Sequence, residues 1–169
     1  KGVMELVNAI NLLVEKRYDI HLRLIGDGNL RNKINKFISK NNLSNNITIQ
    51  GWTKTKNLQD YYLKSDIFIL PSWQEGMPNA LIEAISTGLP SVTTSVGVIS
   101  NYLKNNKSTI LVEPNNTINL EKSIEKLIND VNLRQIISKN GILIAEKYFY
   151  AEKSINKLTA IIKKVIQNN

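Results

Sequence analysis

Apolar and polar positions follow two rhythms along this 169-residue chain. Short, nearly continuous apolar runs, rich in β-branched residues, lie at 20–25, 47–50, 67–70, 91–94 and 110–112. Each predicts a strand, and the near-continuity predicts cover on both faces, as in a parallel sheet. The longer stretches between them are amphipathic with helical spacing. Residues 3–16 put Leu6, Ile10, Leu13 and Val14 on one face, and residues 30–40 do the same with Leu30, Ile34, Phe37 and Ile38. Shorter helices are predicted over 58–64 and 79–87. Beyond residue 115 the strand runs stop and helical spacing continues, first through Leu120, Ile124, Leu127 and Ile128, then through Leu133, Ile136 and Ile137. The final stretch, 151–166, aligns Ile155, Leu158, Ile162 and Val165, with Lys153, Lys157, Lys163 and Lys164 off that stripe. The alternation predicts an α/β fold, a parallel sheet sandwiched by helices with a helical cap. Three partners are open to the last helix: its own domain, another part of a longer protein, or an anionic membrane surface.

Neither repeats nor linkers interrupt this pattern, so residues 1–169 are expected to form a single domain, and 42% apolar content is enough for one core. Asn pairs at 41–42, 45–46, 105–106 and 115–116 fall where turns are needed. Lys and Arg number 22 against 14 Asp and Glu, a formal charge of +8. That balance suits anionic partners, but the cations are dispersed and no cluster of stacking aromatics accompanies them, so nucleic acid is not expected. The chain has no cysteine, which excludes disulfides, thiolate metal sites and cysteine nucleophiles, and which fits a reducing compartment. The one histidine, His21, sits in an apolar run and suits a core or strand-end role. No apolar run reaches the ~20 residues of a membrane span. The chain opens at Lys1, directly in a helix, and is expected to be a segment of a longer protein.

Candidate chemistry concentrates between residues 70 and 90. Pro71 ends a strand, Ser72 to Met77 form a loop at its carboxyl end, Pro78 suits a helix's first turn, and Gly88 with Pro90 ends the helix. Loops at the carboxyl ends of strands are where open α/β sheets bind ligands. The helix carries Ala80, Leu81, Ile82, Ala84 and Ile85 and is expected to be buried, which makes Glu83 anomalous. A carboxylate inside a packed helix costs several kcal/mol unless it is partnered. It would either accept hydrogen bonds from a ligand diol such as a ribose or serve an internal ion pair or cap. Gly76, beside Glu75, lets the backbone approach a ligand, and the amides of the following helix start favour phosphate. Gly26-Asp27-Gly28 repeats the strand-to-glycine theme without the third glycine of a dinucleotide fingerprint.

The run Glu75-Gly76-Met77-Pro78-Asn79-Ala80-Leu81-Ile82-Glu83-Ala84, with Pro71-Ser72 before it and Gly88-Leu89-Pro90 after, resembles the Glu-x7-Glu signature of the group 1 glycosyltransferases. The resemblance extends to Lys1-Gly2, to Gly26-Asp27-Gly28, to Gly51 and to Ser65-Asp66, and so covers the chain in outline. It implies the donor-binding, C-terminal half of a GT-B fold, a Rossmann-like domain whose first strand and whose N-terminal acceptor domain lie upstream of Lys1. It implies a retaining transfer of a hexose from a nucleotide-diphospho-sugar to a polysaccharide or glycolipid acceptor. Glu83 would then hold the ribose, Glu75 would be the candidate catalytic residue facing the donor hexose, and Gly76, Met77, Pro78 and Asn79 would face the hexose and diphosphate. Lys1 would contact the diphosphate, with Gly26, Gly28 and Gly51 at the donor site. No cofactor and no metal are expected, and no Asp-x-Asp occurs. The family's arginine before the lysine falls upstream of residue 1, and the loop 95–99 departs from the family's Gly-Gly-x-x-Glu. The expected setting is the cytoplasm, with peripheral contact at the inner membrane face left open. A non-catalytic nucleotide- or phosphate-binding module is the alternative. A glycoside hydrolase using the two carboxylates would leave the sheet and the phosphate-suited loop without a purpose.

Overall fold

The computed structural model describes residues 1–150, without the side chains of Thr55 and Lys56. The expected helix at 151–166 lies outside the described residues. Helix α1 (Val3–Glu15) leads into strand β1 (Leu22–Ile25), then α2 (Arg31–Lys40), β2 (Ile47–Gly51), α3 (Thr55–Leu63) and β3 (Phe68–Leu70). Helix α4 (Asn79–Ser86), β4 (Ser91–Thr94), a short α5 (Ile99–Tyr102) and β5 (Ile110–Val112) follow. Helices α6 (Thr117–Asn129) and α7 (Val131–Ile144) close the described chain with a π-helical turn over Ala145–Phe149. The alternation read from the apolar pattern is present, and the all-parallel pairing with it.

The strands form two parallel ladders, β1–β2 and β3–β4–β5. Among the described residues, only β4 is paired on both sides, and β1, β2, β3 and β5 each keep one edge that no strand pairs. The ladders nevertheless share a core: Leu6, Val7, Ile10 and Leu13 of α1 pack with Ile34 and Ile38 of α2, Ile47 of β2, Val92 of β4, and Leu120, Ile124 and Leu127 of α6. Leu81 and Ile85 of α4 form a second cluster with Ile99, Leu103 and Ala145, backed by Phe68 and Leu70 of β3. β4 is therefore buried throughout. Its polar side chains are satisfied internally, Ser91 Oγ lying 2.9 Å from Thr109 Oγ1.

Cover on both faces does not extend to β2, where Thr48 and Gln50 are exposed, or to β1. There exposure alternates, with Arg23 and Ile25 facing outward, and His21 is exposed just before the strand. The reason is visible in the residues: His21 and Arg23 interleave with Ile20, Leu22 and Leu24, a two-residue period that marks one wet face. His21 takes the strand-end role rather than a core one, its ring nitrogens lying 3.0 Å from Asn45 O and 2.9 Å from Thr48 Oγ1. At the far end of α1, Lys16 donates to the buried Glu121 at 2.7 Å and to Glu125 at 3.0 Å, tying α1 to α6.

One backbone position sets where the chain enters. Gly2 has φ 53°, and a Cβ there would lie 1.8 Å from the Pro71 carbonyl oxygen, so the start of α1 abuts the carboxyl end of β3. Replacing Gly2 with Ala combines a left-handed backbone with a backbone overlap and is expected to lower stability by about 2–4 kcal/mol. Urea unfolding is the measurement. Gly28→Ala, where a Cβ meets nothing within 4 Å, is the control expected to stay close to wild type.

Candidate functional site

The site is assembled from the end of β3 outward. Thr93 Oγ1 donates to Leu70 O at 3.1 Å and Thr94 Oγ1 to Ser72 O at 2.5 Å, so the buried hydroxyls of β4 hold the backbone that leaves β3. Ser72 is itself buried, and its Oγ donates to Glu75 Oε1 at 2.9 Å. The Lys1 ammonium, brought here by the Gly2–Pro71 contact, donates to the same oxygen. The Lys1 side chain is 65% exposed and that of Glu75 only 15%. Partial burial pushes the Glu75 carboxyl up, but the hydrogen bonds from Lys1 and Ser72 and the Lys1 charge outweigh it and leave it below its usual 4.5. Glu75 is thus an ionised acceptor at neutral pH, unsuited to giving up a proton.

Loop 95–98 closes the other side. A Cβ on Gly97, whose φ is 60°, would stand 2.0 Å from Glu75 O and 2.4 Å from Gly76 O, and Val98 N donates to Gly76 O at 3.2 Å. Glycine at 97 lets that loop lie flat on the Glu75-Gly76 backbone. Met77 packs against the α4 cluster, and Pro78 is buried as the helix's N-cap residue, one position before the first turn. Leu81 N and Ile82 N reach back to Pro78 O, leaving the Asn79 and Ala80 amides at the open helix start. An anionic group there would meet two amides, the helix dipole and the Lys1 ammonium.

Glu83 differs from the sequence expectation. It is exposed, not buried, because α4 buries only Leu81, Ala84 and Ile85, and Glu83 sits on the opposite side of the helical wheel. The burial anomaly that singled it out therefore disappears. What remains is specific: Tyr62 OH donates to Glu83 Oε2 at 3.0 Å. The glycines of the first ladder form their own group. Gly26 N donates to Gly51 O at 2.8 Å, and Asp27 between Gly26 and Gly28 accepts from Gly28 N at 2.8 Å and from Arg31 Nη1 at 2.7 Å.

Lys1, Glu75, Gly76, Met77, Pro78 and Asn79 thus gather at the end of β3, and Gly26, Gly28 and Gly51 at the ends of β1 and β2. Ser72, Tyr62, Thr94 and Gly97 were not singled out from the sequence. Ser72 was read only as part of the stretch before the signature and Thr94 only as a strand residue, and their contacts to Glu75 and the Ser72 carbonyl come from the fold. Gly97 left a signal of its own, a glycine in a loop after a strand.

The model of the family described as glycosyl transferases group 1 matches residues 1–143. This chain belongs to that family. The capsular polysaccharide biosynthesis glycosyltransferase CapM of Staphylococcus aureus is 30% identical over 90% of this chain and 40% of its own length. The chain spans about 40% of the length of the first curated relatives it matches. Among solved structures, the C-terminal domain of the group 1 protein LpcC from Francisella tularensis superposes with TM-score 0.79 at 21% identity, covering 89% of this chain and 80% of that one. HepE of Anabaena, solved in complex with UDP, superposes with TM-score 0.87 at 18% identity, covering 97% and 45%. These similarities show that this group 1 chain has the fold of the C-terminal half of a GT-B glycosyltransferase.

For this glycosyltransferase-family domain, the depressed Glu75 carboxyl makes a pH prediction. Its stabilising contacts are fully present above the unfolded value and are lost as pH falls through the lowered folded value. Ser72→Ala removes one of the two donors, so the Glu75 midpoint, followed by carbon-detected NMR titration, is expected to rise toward 4.5. An unchanged midpoint would mean that Lys1 alone sets it.

Proposed function

We propose that residues 1–169 form the donor-binding domain of a retaining hexosyltransferase, taking a nucleotide-diphospho-sugar and passing the sugar to a polysaccharide or glycolipid acceptor held by another domain. The observation carrying this reading is the convergence of Lys1, Glu75, Gly76 and the open start of α4 at the carboxyl end of β3. A diphosphate fits beside Lys1 and the Asn79 and Ala80 amides, where charge-assisted hydrogen bonds are strong. In the transfer, the anomeric C–O bond to the diphosphate breaks while the acceptor oxygen bonds the same face, and the acceptor proton goes to the departing phosphate oxygen. Lys1 and the helix start would stabilise the charge that develops on that leaving group, the task a divalent ion performs in other transferases, so no metal is required in this scheme.

Glu75, ionised and anchored, would accept hydrogen bonds from donor hexose hydroxyls and orient the ring. With Glu75 ionised, a glycoside hydrolase would need Glu83 as its protonated acid, and Glu83 is exposed and accepts a hydrogen bond from Tyr62. Glu83 would accept the ribose hydroxyls, and Gly26, Gly28 and Gly51 would leave room for the donor at the edge of β1 and β2. HepE with bound UDP supports a uridine nucleotide as one candidate donor. CapM supports a cell-surface polysaccharide as one acceptor. Among the described residues no helix is long and apolar enough to cross a membrane.

The test is saturation-transfer NMR against UDP, GDP, ADP and their glucose and mannose conjugates. A ribose signal for one nucleotide, weakened about 10- to 100-fold in affinity by Glu83→Ala with the fold intact, is expected. Nucleotide binding indifferent to Glu83 would favour the non-catalytic module. These residues alone are expected to bind donor weakly and to transfer nothing, as measured by donor consumption with acceptor present.

A further inference from the structure

Helix α3 touches the candidate site through one residue. Among the described residues its side-chain ties to other elements are Tyr61, whose ring lies 5.0 Å from the Arg23 guanidinium, and Tyr62. The Tyr62 ring is half-buried and meets the Phe68 ring of β3 edge-on, with centroids 6.0 Å apart and planes at 63°. From that seat its hydroxyl donates to Glu83 Oε2 at 3.0 Å. Glu83 Oε1 takes no hydrogen bond among the described residues.

A side chain on a helix tends to lean toward the helix N-terminus, which for Glu83 is the end at Asn79. An exposed glutamate with three rotatable bonds samples many rotamers, and ordering it for a ligand costs entropy on each binding event. A donor fixed by a packed aromatic ring removes that freedom in advance. It also fills one carboxylate oxygen and leaves the other for a ligand. Burial, then the hydrogen bond to Glu83, raises the Tyr62 pKa well above its usual 10.0, so the phenol keeps its proton and remains the donor at neutral pH.

We propose that Tyr62 is a positioning residue that holds the Glu83 carboxylate in its ligand-accepting orientation and thereby sets selectivity for the ribose diol of the nucleotide. This rests on the reading of Glu83 as the ribose acceptor. Tyr62 acts through Glu83 and does not touch the nucleotide. The competing role is a staple that merely fastens α3 to β3 and α4.

Binding to the intact protein separates these roles. UDP, GDP and ADP are titrated by calorimetry, and the tightest is compared with its 2′,3′-dideoxy form in wild type, Tyr62→Phe, Glu83→Ala and the double variant. Wild type is expected to prefer the ribonucleotide by about 10- to 100-fold. Tyr62→Phe keeps the ring against Phe68 and removes only the donor, so it is expected to cut that preference about fivefold while leaving dideoxynucleotide affinity within twofold of wild type. In the Glu83→Ala background the same change is expected to do nothing. If Tyr62→Phe weakens both nucleotides equally, or lowers only the melting temperature, Tyr62 is a staple and the proposal falls while the ribose reading of Glu83 stands. If wild type itself shows no preference for the ribonucleotide, or Glu83→Ala leaves the preference intact, the ribose reading falls and takes the proposal with it.

Discussion

The candidate site depends on one buried hydrogen-bond relay, from Thr94 to the Ser72 carbonyl and from the Ser72 hydroxyl to Glu75. The Ser72 and Thr94 side chains lie in the interior, where an unmade hydrogen bond carries its full desolvation cost, so the relay has little freedom to rearrange. Its effect is to make the loop after β3 an extension of the sheet. Glu75 is then held at a set place beside Lys1, and the Gly76 backbone is held for Gly97 to lie against. A loop carrying the same residues without β4 behind it would present a mobile carboxylate.

Electrostatics at the site follow from that rigidity. Glu75 is mostly buried, which by itself would favour its neutral form, yet two donors on one oxygen reverse the balance. The result is a fixed negative charge adjoining a solvent-facing positive one, since the Lys1 side chain is 65% exposed. The open start of α4 adds positive potential alongside. Glu83 belongs to a different regime. It is exposed, and its orientation comes from a single neutral donor on a separate helix rather than from burial. The two carboxylates of one sequence signature are therefore held by different means.

Much of this was legible in the amino-acid pattern. Residues such as Leu6, Ile10 and Leu13 or Ile34 and Ile38 recur at helical spacing and are core residues, because helix geometry is local and its period is written directly into the chain. The Glu75-to-Glu83 run was recognisable for the same reason, being a contiguous loop and helix. The burial assigned to Glu83 was not legible. An apolar helix can bury one side or all sides depending on what packs around it, and α4 buries Leu81, Ala84 and Ile85 while leaving Glu83 outward. The open outer face of β1 could have been read from His21 and Arg23, whose alternation marks a wet surface.

What the sequence by itself determined is the five strands and the longer helices between and after them, their parallel α/β order, and the candidate loop with its glycines and carboxylates. Only the tertiary structure decided which distant residues complete that loop. Lys1 and Glu75 are 74 positions apart, and Tyr62 and Glu83 are 21 apart. Thr94 and Ser72 meet only because β4 pairs with β3. Each of these contacts depends on strand register and helix packing, which arise from the collective burial of many side chains and leave no period or spacing in the chain.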